Sequence, residues 1–248
     1  MFSKASLYKF YGLARDKIVP ELKYSQEFYE DVLTEKINRN INWLDLGCGH
    51  HLLPQWRFEQ EKVLIERAGN VYGLDYDFPS LLKHRTITKK IQGTIDELPF
   101  KNDFFDAATA NMVVEHLDNP RIQFAEVNRT LKPGGIFIFH TPNETGYFSM
   151  LRKIVPESLV KKMAKILDGR DCDDVFEVHY QANTREKIER LAAETNFTVE
   201  KIKYVSSDAV TALIPPLAVA ELLWIKALMA QRLGRFRTNL IVILRKKS

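Results

Sequence analysis

Short apolar runs closed by turn residues recur along this chain, and segments of helical period separate several of them. The runs are Ile41–Leu46 (INWLDL), Asn70–Asp75 (NVYGLD), Lys90–Ile95, Phe105–Met112 (FDAATANM) and Gly135–His140 (GIFIFH). Each has the length of a buried strand; the first runs into Gly47-Cys48-Gly49, and the second closes on an acid, Asp75. Between the fourth and fifth, Phe124, Val127 and Leu131 repeat at helical spacing. Asn119 is the expected N-cap there, Pro120 suits the first turn, and Lys132-Pro133-Gly134-Gly135 is the expected stop. Asn183-Thr184 opens a helix to about Thr195, Phe197–Tyr204 alternates as a strand, and Asn239–Arg245 is the last strand. Strands alternating with helices predict an α/β fold, a doubly wound and mainly parallel sheet covered on both faces. No repeat or low-complexity linker divides the 248 residues, so one domain is expected. Its parts are an N-terminal helical lid (1–40), a core (41–145) and two insertions (146–178 and 206–237).

Composition narrows the class. Hydrophobic residues make up 45% and charged residues 27%, ordinary for a globular chain with a sizeable core. A net charge of +4 is too mild to argue for a nucleic-acid partner. Cys48 and Cys172 are the only cysteines, without ligand spacing, so neither a disulfide framework nor a metal site is expected. The first residues have no apolar signal core, and Pro215-Pro216, Glu221 and Lys226 interrupt the longest apolar stretch, Ala209–Ala230. A cytoplasmic location is expected.

In sheets of this kind ligands gather at the carboxyl ends of the strands. The first such end reads Asp45-Leu46-Gly47-Cys48-Gly49, a turn that lets a ligand approach the backbone closely. The second ends at Asp75, whose carboxylate can accept from two ribose hydroxyls. Either feature alone reads more simply as a tight turn or a helix cap; together, at matching strand ends, they favour a nucleoside site. A dinucleotide site wants GxGxxG with an acid about 20 residues on. Gly47-Cys48-Gly49-His50-His51-Leu52 lacks the third glycine, and Asp75 lies 28 residues after Gly47. An NAD(P)-dependent oxidoreductase is therefore the weaker reading.

WLDLGCG at 43–49, GLD at 73–75, LPF at 98–100, FDAATANMVVEHL at 105–117 and LKPGG at 131–135 occur in one order. In this the chain resembles class I S-adenosylmethionine-dependent methyltransferases, most of all the type 11 and ubiquinone/menaquinone-pathway subgroup. The resemblance implies seven strands, the last antiparallel, and S-adenosylmethionine as cofactor. It implies that Asp45 and the Gly47-Cys48-Gly49 turn hold the methionine part. Asp75 would hold the ribose, with Tyr76 against the adenine, and Ala110, Asn111 and Met112 would lie beside the sulfonium. Two positions depart from the pattern. His51 stands where many relatives have a third small residue. Thr94 stands where an acid commonly meets the adenine amino group, so Thr94 or the backbone at Ile95 is expected to take that contact.

Methyl transfer from a sulfonium needs alignment, and a base only where the acceptor carries a proton at neutral pH. His116, His140 and His179 are the candidates, with Glu115 behind them, and His116 is preferred. Cys48 reads as a small turn residue, having no partner base. Tyr8, Tyr11, Arg15 and Tyr24 read as packing the N-terminal helices, a lid over the ligand being the alternative. Both insertions mix large apolar residues with basic ones, Arg152, Lys153, Lys161, Lys162 and Lys165 in the first and Arg232, Arg235 and Arg237 in the second. They read as a cap or oligomer contact, with peripheral binding to the inner face of a membrane as the alternative. The expected acceptor is a small or lipid-linked molecule methylated on oxygen or carbon. A non-catalytic S-adenosylmethionine-binding module is the third reading.

Overall fold

The computed structural model describes residues 3–39, 41–154 and 177–248. The basic helix expected around Lys161, Lys162 and Lys165, and Cys172, lie outside the described residues. The contacts group the chain into two compact units. One comprises residues 26–142, 178–203 and 240–248; the other comprises 1–25, 143–177 and 204–239. The segment 1–40, read from sequence as a single lid, is divided between them.

The first unit is built on the sheet. Its strands are β1 (Ile41–Leu46), β2 (Gly69–Asp75), β3 (Lys89–Gln92), β4 (Phe105–Asn111), β5 (Leu131–Pro142), β6 (Phe197–Val205) and β7 (Asn239–Lys246), in the order β3-β2-β1-β4-β5-β7-β6. β1 pairs parallel with β2 and β4, β2 with β3, and β4 with β5. At the end of β7, Lys246 Nζ donates to Leu131 O (2.7 Å) and Arg245 Nη1 to Gly134 O (2.7 Å). The end of β7 thus lies beside the start of β5, and the last strand runs antiparallel. Trp43, Leu44, Asp45 and Leu46 are all buried, the mark of a central parallel strand covered on both faces.

Helices α2 (Ser25–Lys36), α3 (Phe58–Ala68), α4 (Phe78–Lys83), α5 (Pro120–Thr130) and α7 (Arg185–Glu194) accompany these strands. Phe124 of α5 meets Phe137 and Phe139 of β5 edge-on, at centroid distances of 5.3 and 5.7 Å. Asn119 stands at the N-cap of α5, but its side chain makes no capping bond; Thr184 does cap α7, accepting from Lys187 N at 3.2 Å. Helix α5 ends at Thr130, just ahead of the expected stop, and Lys132-Pro133-Gly134 itself lies within β5, whose first residue, Leu131, reads as helical in the sequence. The β4–β5 register jumps there from Phe105↔Leu131 to Ala107↔Ile136, with Gly134 at φ +75°. A bulge tolerates both a proline and a positive φ.

The second unit is helical. It holds α1 (Lys4–Ile18), α6 (Tyr147–Ile154) and α8 (Pro215–Leu228). Tyr11 and Val19, Tyr147, and Ala218, Leu222, Ile225 and Leu228 share one apolar core. Polar ties reinforce it. Tyr11 donates to Asp208, Tyr147 Oη to Glu221 Oε1 (2.8 Å), and Asn143 Nδ2 to the carbonyls of Arg235 (2.8 Å) and Arg237 (2.7 Å). The N-terminal helix, the described start of the first insertion and the second insertion, distant in sequence, therefore share one core. Of the tyrosines read as packing residues, Tyr11 is in that core and Tyr8 is exposed.

Candidate functional site

The chain winds outward from β1 to β3 and crosses back to β4, so the strand order reverses between β1 and β4. Ligand crevices of doubly wound sheets open at that point. Two residue ends meet there. Gly47 has φ +61°, and a Cβ on it would lie 2.6 Å from Val113 Cγ2. Gly49 has φ +52°, and nothing lies within 4 Å of where its Cβ would point. The turn is thus closed at Gly47 by β4's extension and open at Gly49.

Asp75, at the end of β2, is buried. Its Oδ2 accepts from Gly49 N–H and its Oδ1 from Asp77 N–H, both at 2.8 Å. Two backbone donors fix the plane of the carboxylate, and each oxygen keeps a further lone pair. Next to it, Tyr76 is exposed, and its carbonyl accepts from Gln92 Nε2 (3.2 Å). β3 ends at Gln92 rather than running to Ile95, and Gly93 N closes onto Asp75 O at 3.0 Å. Thr94 therefore sits on the loop after the strand with its side chain exposed, and Ile95 follows half-buried.

Asp45 lies deeper. It is buried on β1 and accepts Thr109 Oγ1–H at 2.5 Å, while Trp43 Nε1 donates to that hydroxyl at 2.7 Å. Burial, partly offset by Thr109 and assisted by the negative charges of Glu61 and Asp75, pushes its carboxyl up to about 7. Cys48 is buried, and its Sγ would stand 2.8 Å from a Cβ on Gly73. The thiol faces the sheet, burial raises its pKa, and only the backbone of Cys48 belongs to the turn.

On β4, Ala110 is buried, Asn111 ends the strand, and Met112 follows exposed at φ +57°. Asn111 Nδ2 donates to Leu52 O (3.2 Å), so its Oδ1 accepts from His140 Nδ1 (2.9 Å). That pairing settles the tautomer of His140. The ring is buried, stacks on Tyr29 at 5.8 Å, and burial lowers its pKa to about 4. His140, expected as a candidate base, is therefore a buried support for Asn111.

The remaining candidates lie near one another. Val114–His116 form a 3₁₀ turn; Glu115 is buried, and His116 Nε2 stands 3.9 Å from Glu115 Oε1. Glu115 Oε2 accepts Thr141 Oγ1–H (2.9 Å), and Asn183 Nδ2 donates to Thr141 Oγ1 (2.7 Å). Burial raises the Glu115 carboxyl. His179 N donates to Glu115 O at 2.8 Å, while its side chain is exposed. The sequence reading missed Thr109, Thr141 and Asn183 as partners. Their one signal was a polar residue inside an apolar strand; Asn183 read only as a helix opener.

These residues fit S-adenosylmethionine. The carboxylate of Asp75 matches two hydroxyls, and the turn is open where a ligand would replace the missing side chain at Gly49. Three comparisons bear on the family. The family model described as "Methyltransferase domain" matches residues 22–202. An uncharacterized protein of Methanocaldococcus jannaschii is 32% identical over 123 residues, 49% of this chain and 45% of that one. A mitochondrial ubiquinone biosynthesis O-methyltransferase of Dictyostelium discoideum is 26% identical over 160 residues, 54% of this chain and 48% of that one. The chain thus spans under half the length of these curated relatives. In fold, an S-adenosylmethionine-dependent methyltransferase from Mesorhizobium loti superposes with a TM-score of 0.56 at 19% identity, over 90% of this chain and 98% of that one. With the family model covering 22–202, the seven-stranded sheet and the paired Gly49–Asp75 strand ends, this chain belongs to the class I S-adenosylmethionine-dependent methyltransferases.

Proposed function

We propose that this protein transfers a methyl group from S-adenosylmethionine to a hydroxyl or a carbon of a small or lipid-linked acceptor. The observation that carries the reading is the Asp75 carboxylate, held by Gly49 and Asp77 N–H at 2.8 Å each and keeping two lone pairs. Bound there, S-adenosylmethionine supplies an electrophilic methyl carbon on a sulfonium. The chain does the rest. Asp75 orients the ribose, the open turn at Gly49 admits the methionine part, and Met112 and Asn111 border the reacting end. Where the acceptor carries a proton, His116 takes it on its ring, and the Glu115 carboxylate 3.9 Å away supplies the counter-charge.

The lipid-linked acceptor rests on the helical unit. Tyr8, Phe10 and Leu13 of α1, Phe148, Met150 and Leu151 of α6, and Leu217, Leu223 and Trp224 of α8 are exposed. Lys4, Lys9, Arg152, Lys153 and Lys226 lie on the same three helices. Bulky apolar residues beside cations suit an anionic bilayer, where hydrocarbon-tailed acceptors reside. Among the described residues, no helix is long and apolar enough to cross a membrane. The test is transfer of labelled methyl into fractionated cell extract, with aqueous and lipid fractions counted separately. Label in the lipid fraction is expected. Label confined to the aqueous fraction removes the lipid acceptor, and no transfer into either removes the activity.

A further inference from the structure

From Phe78 to Gln92 the chain carries Lys83, His84, Arg85, Lys89 and Lys90 and no Asp or Glu. The fold sets part of this run beside the two histidines that follow the glycine turn. The rings of His50 and His51 lie 4.3 Å apart between centroids. After burial, the influences on His50 are the positive charges of His51, Lys83 and Arg85, and all of them lower its pKa. His84 feels Lys90, His51 and His50 in the same sense. Among the described residues, neither Lys83 nor Arg85 has an ion-pair partner, and Lys90 Nζ is spent on the carbonyl of His84 (2.7 Å). The nearby Glu61 carboxylate is already engaged, by Leu52 N (3.0 Å), Leu53 N (2.8 Å) and the Thr86 hydroxyl.

His84 supplies an independent observation. It is only 4% exposed, and Ile87 N–H donates to its Nδ1 at 3.2 Å. The neutral ring must then carry its proton on Nε2. That atom is buried and has no hydrogen-bond partner. A buried donor without an acceptor is costly, and here it sits in a positive field. Both deficits are met by one ligand, an anion with several acceptor oxygens.

We propose that His84 Nε2–H, Lys83, Arg85 and the His50–His51 pair bind a phosphate group, carried by a soluble ester or by a lipid headgroup. A tetrahedral phosphate accepts from several directions and carries up to two charges, which a single carboxylate does not. The proposal does not rest on the proposed methyl transfer.

The test is calorimetric titration of the full chain, saturated with S-adenosylmethionine, with inorganic phosphate at low ionic strength. In parallel, sedimentation is measured with phosphatidic-acid vesicles and with phosphatidylcholine vesicles. Saturable phosphate binding is expected. Lys83→Ala/Arg85→Ala, which changes exposed side chains only, should weaken it at least tenfold and leave cofactor affinity unchanged. His84→Leu should weaken it as well, read only if its circular dichroism is that of the wild type. Binding to phosphatidic acid at far lower phosphate concentration than to the free ion identifies a headgroup as the source; equal binding identifies a soluble ester. The proposal is overturned if the wild type takes no phosphate, if the double variant binds as the wild type does, or if phosphate binds only without the cofactor.

Discussion

Gly49 N–H donates to Asp75 Oδ2 at 2.8 Å, joining the glycine turn after β1 to the acid that ends β2. The two signatures that the sequence shows 26 residues apart are thus one piece of geometry. The carboxylate is held in place before any ligand arrives, so little ordering remains to be done on binding.

Asp75→Ala removes a charged acceptor from the ribose and from Gly49. Hydrogen bonds to such a group are worth about 1.5–3 kcal/mol each. Cofactor affinity should fall at least tenfold in a folded protein, read by calorimetry. Asp75→Asn should also lose affinity, because its amide NH₂ must face Gly49 or Asp77 N–H. Unchanged affinity in both variants would sink the ribose assignment.

Gly47→Val meets two obstacles. The residue sits at φ +61°, and its Cβ would lie 2.6 Å from Val113 Cγ2. A left-handed conformation costs a branched residue about 1–2 kcal/mol before any clash. Loss of cofactor binding and a lowered melting temperature are expected. Val113→Ala in the same chain should restore part of the stability, since it relieves the contact and leaves the φ strain. Wild-type binding by Gly47→Val would place the ligand elsewhere.

Asp45 and His140 give pH dependences of opposite sign. The folded Asp45 carboxyl titrates near 7 against an ordinary 3.8, so the folded state holds a proton that the unfolded chain has released. Stability from this group is lost as pH rises from about 4 to 7. His140 titrates near 4 against 6.5, so its contribution is lost as pH falls through that window. The two oppose each other between about 4 and 6.5. Asp45→Asn leaves the histidine term alone, so its urea midpoint should rise relative to wild type between pH 4.5 and 7.5. A constant difference would show that Asp45 is ionised throughout.

His116→Ala should lower turnover by roughly 10²–10⁴-fold with cofactor affinity kept, if the acceptor is a hydroxyl. Glu115→Gln keeps an acceptor for Thr141 and removes the charge, so a smaller fall is expected. His179→Ala should leave turnover near wild type, because only its backbone touches Glu115. A drop below tenfold in His116→Ala points to alignment without a base.

Leu223 and Trp224 lie on the exposed side of α8. Replacing both with serine should reduce sedimentation with anionic liposomes, and raising salt should reduce it for the wild type. A wild type that ignores such liposomes at low salt favours a water-soluble acceptor.

The sequence by itself determined the succession of strands along the chain, because burial on both sheet faces demands continuous apolar runs such as Trp43–Leu46. It also determined the glycine turn and Asp75, because a positive φ and a paired acceptor each demand a particular residue type. Local pattern could not set the limits of β3 and β5. Whether Thr94 pairs, or Lys132-Pro133-Gly134 bulges, depends on the neighbouring strand. Nor could it sort the histidines. His116, His140 and His179 look alike in the chain, and only tertiary packing buries one behind Asn111, sets one beside a buried carboxylate and leaves the side chain of one in solvent. That the N-terminal helix and the insertions share a core was invisible for the same reason. Tyr11, Tyr147 and Leu222 share a core that no sequence period connects, because contacts between distant segments carry no local signal.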